Sequence, residues 1–376
     1  MKFAILLFNY FPHGGLQRGC LAIAHSLRDR GHAVSLFTGS WQGPRPDGIA
    51  VHILGRRGLT NHGRARAFAR DALRALGTSR FDAVVGFNRM PGLDIYNAGD
   101  SCFVAQAQER HMALYRLTPR YRHFAAFERA VFAPEATTEI ILQVEAQKEV
   151  YQRHYGTPAE RFHLVPPGIS RDRRRPPNAD SIRRTVRAEL GLADEDRLLL
   201  MVGSSFKTKG HDRAIHALAA LPPPVARRAR LLAIGANSAR PFDALARRLG
   251  VADRVQVLAA RDDVTRFFLA ADLLLHPSRA ESAGSVILEA MISGLPVLCT
   301  GICGFAEHVR RAEAGQVLPE PFRQDRMNAA VLDMLTSPLA PVWAANGVAY
   351  GESTDLYSGR EAAAATIERL AEKIRR

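Results

Sequence analysis

The sequence predicts an α/β protein: two Rossmann-like, doubly wound domains facing a central cleft. Three observations lead there. Apolar strand-like runs alternate with amphipathic helical segments along nearly the whole chain, the mark of parallel sheets joined by helical crossovers. The alternation halts once, at Val165-Pro-Pro-Gly-Ile169, and then begins again. The 376 residues, 47% of them hydrophobic, are enough to fill two cores.

In the first half, Phe3–Asn9 reads as a strand, Leu16–Arg30 as an amphipathic helix stopped by Gly31, and Ala33–Thr38 as the next strand. Val51–Leu54, Ala83–Phe87, Glu139–Val144 and Phe162–Val165 continue the sheet. The stretch Ser170-Arg-Asp-Arg-Arg-Arg-Pro-Pro-Asn178 reads as a linker or exposed loop. The second series expects strands at Leu198–Gly203, Leu231–Gly235, Val255–Leu258, Leu273–His276 and Val297–Thr300. Helices are expected between them at His211–Leu221, Pro241–Leu249, Val264–Ala270 and Gly284–Ser293. A late helix, Ser358–Arg376, has no strand after it.

No run of eighteen apolar residues suggests a transmembrane helix. The start, Met1-Lys-Phe-Ala-Ile-Leu-Leu-Phe, reads as a buried first strand and not as a signal peptide. The four cysteines, Cys20, Cys102, Cys299 and Cys303, show neither metal-ligand nor disulfide spacing, which favours a reduced cytoplasm. The formal net charge is +14. It fits nucleic acid, an anionic membrane face or an acidic substrate, and does not choose among them.

The densest chemistry lies in Arg279-Ala-Glu281-Ser-Ala-Gly284-Ser-Val-Ile-Leu-Glu289. A helix that opens near Gly284 leaves the N–H groups of Ala283, Gly284 and Ser285 as orphan donors at a positive dipole end. That is a phosphate site. Glu281 lies just outside it and Glu289 about a turn and a half inside, so the two acids can take hydroxyls on either side of a diphosphate. A sugar nucleotide has that layout. Upstream, Leu198–Gly203 leads to Ser204 and then to Lys207-Thr-Lys209-Gly-His-Asp, which places Lys209 at a helix start where it can offset phosphate charge; Arg261 is a further candidate cation. In the first half, the Gly14-Gly15 pair between strand and helix allows close backbone approach and positive φ, although it also suits a plain turn. It lacks the G-x-G-x-x-G spacing of a nicotinamide site. Asp100, at a strand end, could assist a hydroxyl by hydrogen bonding or proton transfer. Between Ala105 and Phe132, Arg110, Arg116, Arg120 and Arg122 interleave with Tyr115, Leu117, Tyr121 and Phe124. This suits an interfacial amphipathic element, a groove for phosphorylated sugars, or an ordinary helix with a solvated face. Asp194-Glu195-Asp196 reads as a loop, and no metal site is convincing.

The two glutamates with seven residues between them resemble the motif of retaining GT-B glycosyltransferases of family 4. Longer blocks resemble one group within it, the lipopolysaccharide core glucosyltransferases I: Tyr10-Phe-Pro-His-Gly-Gly-Leu-Gln-Arg18, Thr60-Asn-His-Gly-Arg64, Gly86-Phe-Asn-Arg-Met-Pro-Gly-Leu-Asp94, Leu114-Tyr-Arg-Leu-Thr118 with Arg120-Tyr-Arg-His123, and Val165-Pro-Pro-Gly-Ile169. The resemblance spans the chain. It implies a GT-B fold, with residues 1–168 binding the acceptor, 169–355 binding the nucleotide sugar, and 356–376 crossing back to the first domain. It implies UDP-glucose as donor, an inner-core heptose of lipopolysaccharide as acceptor, an α-1,3 linkage made with retention, and no metal or other cofactor. Glu281 would hold the donor sugar, Glu289 the ribose, and Lys209 with the Ala283–Ser285 amides the diphosphate. Gly14, Gly15, Ser204 and Arg261 would complete the donor site, and Asp100 would join Glu281 in catalysis. The group's members act at the cytosolic face of the inner membrane, which implies a peripheral association through the arginine-rich segment. Gly19, His13 and Thr208 depart from the better-known members and bear on donor identity and kinetics. The competing expectations are another hexose donor or glycolipid acceptor, a basic nucleic-acid-binding protein, and a membrane scaffold without activity. The absence of a helix-turn-helix or aromatic RNA platform weighs against nucleic acid as a partner.

Overall fold

The computed structural model describes residues 1–77, 79–109, 114–236 and 238–375. It divides into two units: Met1–Gly168 with Tyr357–Arg376, and Ile169–Leu356. The first holds a seven-stranded parallel sheet in the order β3-β2-β1-β4-β5-β6-β7. Its strands are β1 (Lys2–Leu7), β2 (Ala33–Thr38), β3 (Ala50–Ile53), β4 (Ala83–Gly86), β5 (Ile95–Asn97), β6 (Glu139–Leu142) and β7 (Phe162–Leu164). The second holds a six-stranded parallel sheet in the order β10-β9-β8-β11-β12-β13. These are β8 (Arg197–Val202), β9 (Ala229–Ile234), β10 (Val255–Leu258), β11 (Leu273–His276), β12 (Val297–Thr300) and β13 (Gly315–Leu318). In both, the chain starts mid-sheet, runs to one edge and returns to fill the other. The order therefore reverses beside β1 and β8, where such folds bind ligands at the strands' carboxyl ends.

β1 shows why the sequence adopts this arrangement. Phe3, Ala4, Ile5, Leu6 and Leu7 are each at most 1% exposed. Phe3, Ile5 and Leu7 enter the core on one face of the sheet, and Ala4 and Leu6 the core on the other. A strand covered on both faces has no polar alternation, so it reads as a continuous apolar run.

The final helix, Gly359–Arg375, belongs to the first unit. Its Ala363, Ala364, Ile367, Leu370 and Ala371 share a core with Phe3, Ile5 and Leu7. Glu368 pairs with Arg30 and, at 3.0 Å, with His32, while Lys373 reaches Glu139 at 3.1 Å and Arg375 reaches Asp82 at 3.3 Å. Pairs at the protein surface such as these contribute little; the apolar stripe holds the helix.

Two strands, Ile95–Asn97 and Gly315–Leu318, go beyond the sequence expectation, being only three and four residues long. The segment expected as one amphipathic element is broken. A helix at Phe103–Glu109 is followed by a 3-10 turn at Leu114–Leu117 and a helix at Pro119–Phe132. Pro119 sits at the first helical position and Thr118 Oγ1 accepts the Tyr121 N–H at 3.2 Å, which fixes that start. Among the described residues, no helix is long and apolar enough to cross a membrane.

If apolar packing anchors the final helix, Ile367→Ala lowers the unfolding free energy by about 2–4 kcal/mol. Arg375→Ala lowers it by less than about 1 kcal/mol. Urea unfolding of the two variants checks the ranking.

Candidate active site

Glu281 lies in the loop between β11 and the helix Ser285–Ile292. Its carboxylate is the best-held group in the second unit. Oε2 accepts a hydrogen bond from Lys209 Nζ and stands 2.9 Å from Nε2 of His276, the last residue of β11. His276 is 1% exposed, and its Nε2 also lies 3.2 Å from Ser278 Oγ. The side chains of Lys209 and Glu281 are only 20% and 13% exposed. Burial alone would raise the Glu281 pKa, but the His276 hydrogen bond and the Lys209 charge outweigh it and hold the carboxyl at about 2. Burial, with the Lys209 charge adding to it, lowers His276 below its ordinary value against the pull of Glu281. A neutral imidazole serves this contact with its proton on Nε2.

Two glycines make this approach possible. Gly210 precedes the helix His211–Ala219 at φ +75°, and a Cβ there would strike the Pro277 carbonyl. Gly284 caps the helix Ser285–Ile292 at φ +91°, and a Cβ there would come within 3.2 Å of Glu281 Cγ and Ile287 Cδ1. Both are left-handed positions that a side chain resists. The Lys209 loop is stapled to the Glu281 loop by Arg279, which grips Asp212 with bonds of 2.8 and 2.6 Å and donates to the Lys207 carbonyl at 2.8 Å. The Phe305 N–H donates to the Ala283 carbonyl at 2.8 Å, pinning the turn before the helix. The first-turn amides beyond it, Gly284 and Ser285 included, have no partner within the helix. Glu289 is half-buried on the same helix.

The other candidates divide. Ser204 Oγ accepts the Ala236 N–H at 3.4 Å and so braces the next loop. Arg261 is committed to Asp263 through both Nε and Nη2 and lies over the Phe267 ring, 4.6 Å from its centroid. That pairing spends much of the cation expected there. Asp194-Glu195-Asp196 is a structural loop, with Asp196 Oδ2 capping the Ala193 N–H and Arg187 gripping the Ala193, Asp194 and Asp196 carbonyls. The four cysteines are buried and free.

In the first unit, Gly14 caps the helix Gly15–Asp29 at φ −82°, so the positive φ expected of this pair is not used. A Cβ at 14 would meet the Gln17 and Phe11 side chains, which would have to shift, whereas Gly15 faces open space. A Cβ on Gly99 would meet the Leu16 side chain, so the Asp100 loop lies beside this helix start. Asp100 is 45% exposed on its side chain, 3.9 Å from Arg89 Nη2, and its carbonyl accepts from Tyr151 Oη at 2.9 Å. Arg89 in turn pairs with Glu128, which is fully buried and accepts the Phe103 and Val104 amides and the Tyr155 hydroxyl, at 2.8, 3.0 and 2.7 Å. Arg116, Arg120 and Arg122 are exposed, as are Leu114 and Leu117. Arg110 lies outside the described residues.

Sequence reasoning missed His276, the Arg279–Asp212 staple and Glu128. His276 had a readable signal, a lone histidine closing an apolar strand five residues before Glu281. Glu128 had none, because nothing local separates it from a solvated helix acid.

The family described as Glycosyltransferase Family 4 matches residues 13–173, and the one described as Glycosyl transferases group 1 matches residues 182–347. The lipopolysaccharide glucosyltransferase WaaG of Escherichia coli (strain K12) is 43% identical over 98% of this chain and 98% of its own length. The crystal structure of WaaG, a glycosyltransferase involved in lipopolysaccharide biosynthesis, superposes with a TM-score of 0.93, covering 97% of this chain and 99% of that one. Anabaena Alr3699/HepE in complex with UDP-glucose shares the fold at 19% identity, with a TM-score of 0.75 over 98% of this chain and 100% of that one.

The folded Glu281 value lies below the ordinary carboxyl range of about 4.3. Its ionised form therefore stabilises the fold above that range, and the contribution is lost as pH falls through about 2. Lys209→Met removes the nearby cation, so the Glu281 carboxyl titrates higher, which a carboxyl-carbon NMR titration detects.

Proposed function

We propose, from the premise that the chain belongs to glycosyltransferase family 4 and to its lipopolysaccharide glucosyltransferase group, that it transfers glucose from UDP-glucose to an inner-core heptose of lipopolysaccharide. The linkage is α-1,3 and the configuration is retained. The observation that carries this reading is the ionised Glu281, desolvated at an amide-rich helix tip and held on one oxygen by His276 and Lys209. Fixing Oε2 leaves Oε1 to accept a donor-sugar hydroxyl in a set orientation. The amides of Ala283, Gly284 and Ser285 bind the diphosphate, with the helix dipole favouring its charge. Lys209 has further N–H donors beyond the one given to Glu281, and one of these reaches a phosphate oxygen.

The chemistry asks little more of the protein. As the sugar–phosphate bond lengthens, negative charge grows on the leaving UDP, and donors already aimed at it lower the barrier without reorganising. The acceptor hydroxyl attacks from the face that UDP leaves, and a leaving phosphate oxygen takes its proton. Glu289 holds the ribose. Asp100, steadied through Arg89 and Tyr151, orients the acceptor hydroxyl. No metal is required, because amides and a lysine supply the positive potential. Arg116, Arg120 and Arg122, with the exposed Leu114 and Leu117, suit a peripheral seat on the anionic cytosolic face of the inner membrane.

Glu281→Gln is expected to lower kcat at least 100-fold while UDP affinity stays within threefold. Glu289→Ala is expected to weaken UDP binding about tenfold, or 1.4 kcal/mol. Steady-state kinetics with calorimetry check both, and wild-type behaviour of the two variants would refute the assignment. In a donor panel without added metal, UDP-glucose should outperform UDP-galactose and GDP-mannose, and a chelator should leave its rate unchanged. Preference for another sugar nucleotide would favour a different hexosyltransferase of the same fold.

A further inference from the structure

The block Thr60-Asn-His-Gly-Arg64 has no part in the chemistry above. It opens the helix Asn61–Leu76 in the first unit, where it borders a cavity of about 300 Å3 at the carboxyl edge of β1, β2 and β3. The cavity has an apolar floor and a cationic rim. Phe8 and Phe68 meet edge to face in the floor, 5.2 Å between centroids, and Phe124 adds a third ring. Arg56 and Arg64 stand on the rim, and among the described residues no Asp or Glu lines the cavity.

Several arginines of this chain are matched to acids: Arg183 and Arg187 to Asp272, Arg279 to Asp212, Arg89 to Glu128. Arg64 instead donates Nε to the Gly58 carbonyl at 2.9 Å, which orients the group and leaves both terminal nitrogens available. Among the described residues, neither Arg56 nor Arg64 is paired with a carboxylate. Like charges beside an apolar floor repel until an anion joins them, and a guanidinium fork fits a phosphate or carboxylate through two parallel bonds. Asn9 adds direction. Its Oδ1 accepts from Ser40 Oγ at 2.9 Å, which points its NH2 toward other acceptors.

We propose that this cavity is a binding site for an acidic saccharide, with a phosphate or carboxylate held by Arg56 and Arg64, the sugar ring against Phe68 and Phe124, and hydroxyls on the Asn9 and Asn61 amides. The volume is at the low end for ligand sites and suits one sugar ring with one acidic group. The site deepens the transferase reading, on which only its use rests: the acceptor is recognised by an anionic group on the saccharide as well as by the hydroxyl that reacts. Binding itself does not depend on that reading.

NMR titration of the full chain with glucose 6-phosphate, glucuronate and glucose tests this, alongside UDP calorimetry. At least one acid is expected to bind tenfold or more tightly than glucose and to shift the Arg64 side-chain and Asn61 resonances. Arg64→Gln and Arg56→Gln should each remove most of that preference while UDP affinity, a property of the other unit, stays unchanged. Binding of glucose 6-phosphate alone identifies phosphate as the group read, and of glucuronate alone, carboxylate. Equal binding of acids and glucose, or variants that bind like wild type, would overturn the proposal. If Arg64→Gln loses UDP affinity through misfolding, the exposed Arg56→Gln decides. Failure of the wild type to bind UDP would instead count against the transferase reading and leave this site standing.

Discussion

The structure depends most on one desolvated carboxylate. Glu281 keeps its charge out of water only because His276 and Lys209 share its Oε2. Uncompensated, such a group would give up its charge by taking a proton. Each partner comes from a different element: His276 from the end of a central strand, Lys209 from the loop after β8. The contact therefore fixes two loops at the sheet's carboxyl edge as well as one side chain. Gly210 and Gly284 are the backbone cost of bringing them together, and the Arg279–Asp212 staple keeps them there.

The same logic appears in the first unit with different residues. Glu128 is buried and answered by Arg89, two backbone amides and a tyrosine hydroxyl. It gathers the start of the helix Phe103–Glu109, the end of the helix Glu145–Tyr155 and, through Arg89, the loop that carries Asp100. In both units a held acid sets the position of a loop, and the loop carries the exposed chemistry. Buried charges of this kind contribute little net stability compared with apolar packing. Their value here is geometric.

Much of this was legible in the sequence. β1 and β8 are continuous apolar runs because both faces are covered, and that pattern survives in one dimension. Glu281, Gly284 and Glu289 were readable because helix-start chemistry is local: a small residue, then an apolar run, with acids at fixed offsets. The short strands Ile95–Asn97 and Gly315–Leu318 were not readable, since their membership comes from neighbours in the sheet. Nor was the state of Arg261, whose charge is taken by Asp263 two residues on, or the pairing of Lys209 with Glu281, 72 residues away. Side-chain pairing across that separation is a property of the folded sheet. At the Gly14-Gly15 pair the expected positive φ is not used, because backbone angles are set by the turn and not by the residue type alone.

The central claim is that the tip of the helix Ser285–Ile292 and the fixed Glu281 together hold a sugar diphosphate. A crystal structure of the chain with a non-hydrolysable UDP-glucose analogue tests it most directly. The account predicts phosphate oxygens about 3 Å from the Gly284 and Ser285 amides, with a glucose hydroxyl on Glu281 Oε1. A diphosphate seated anywhere else, with that helix start uncontacted, would contradict it.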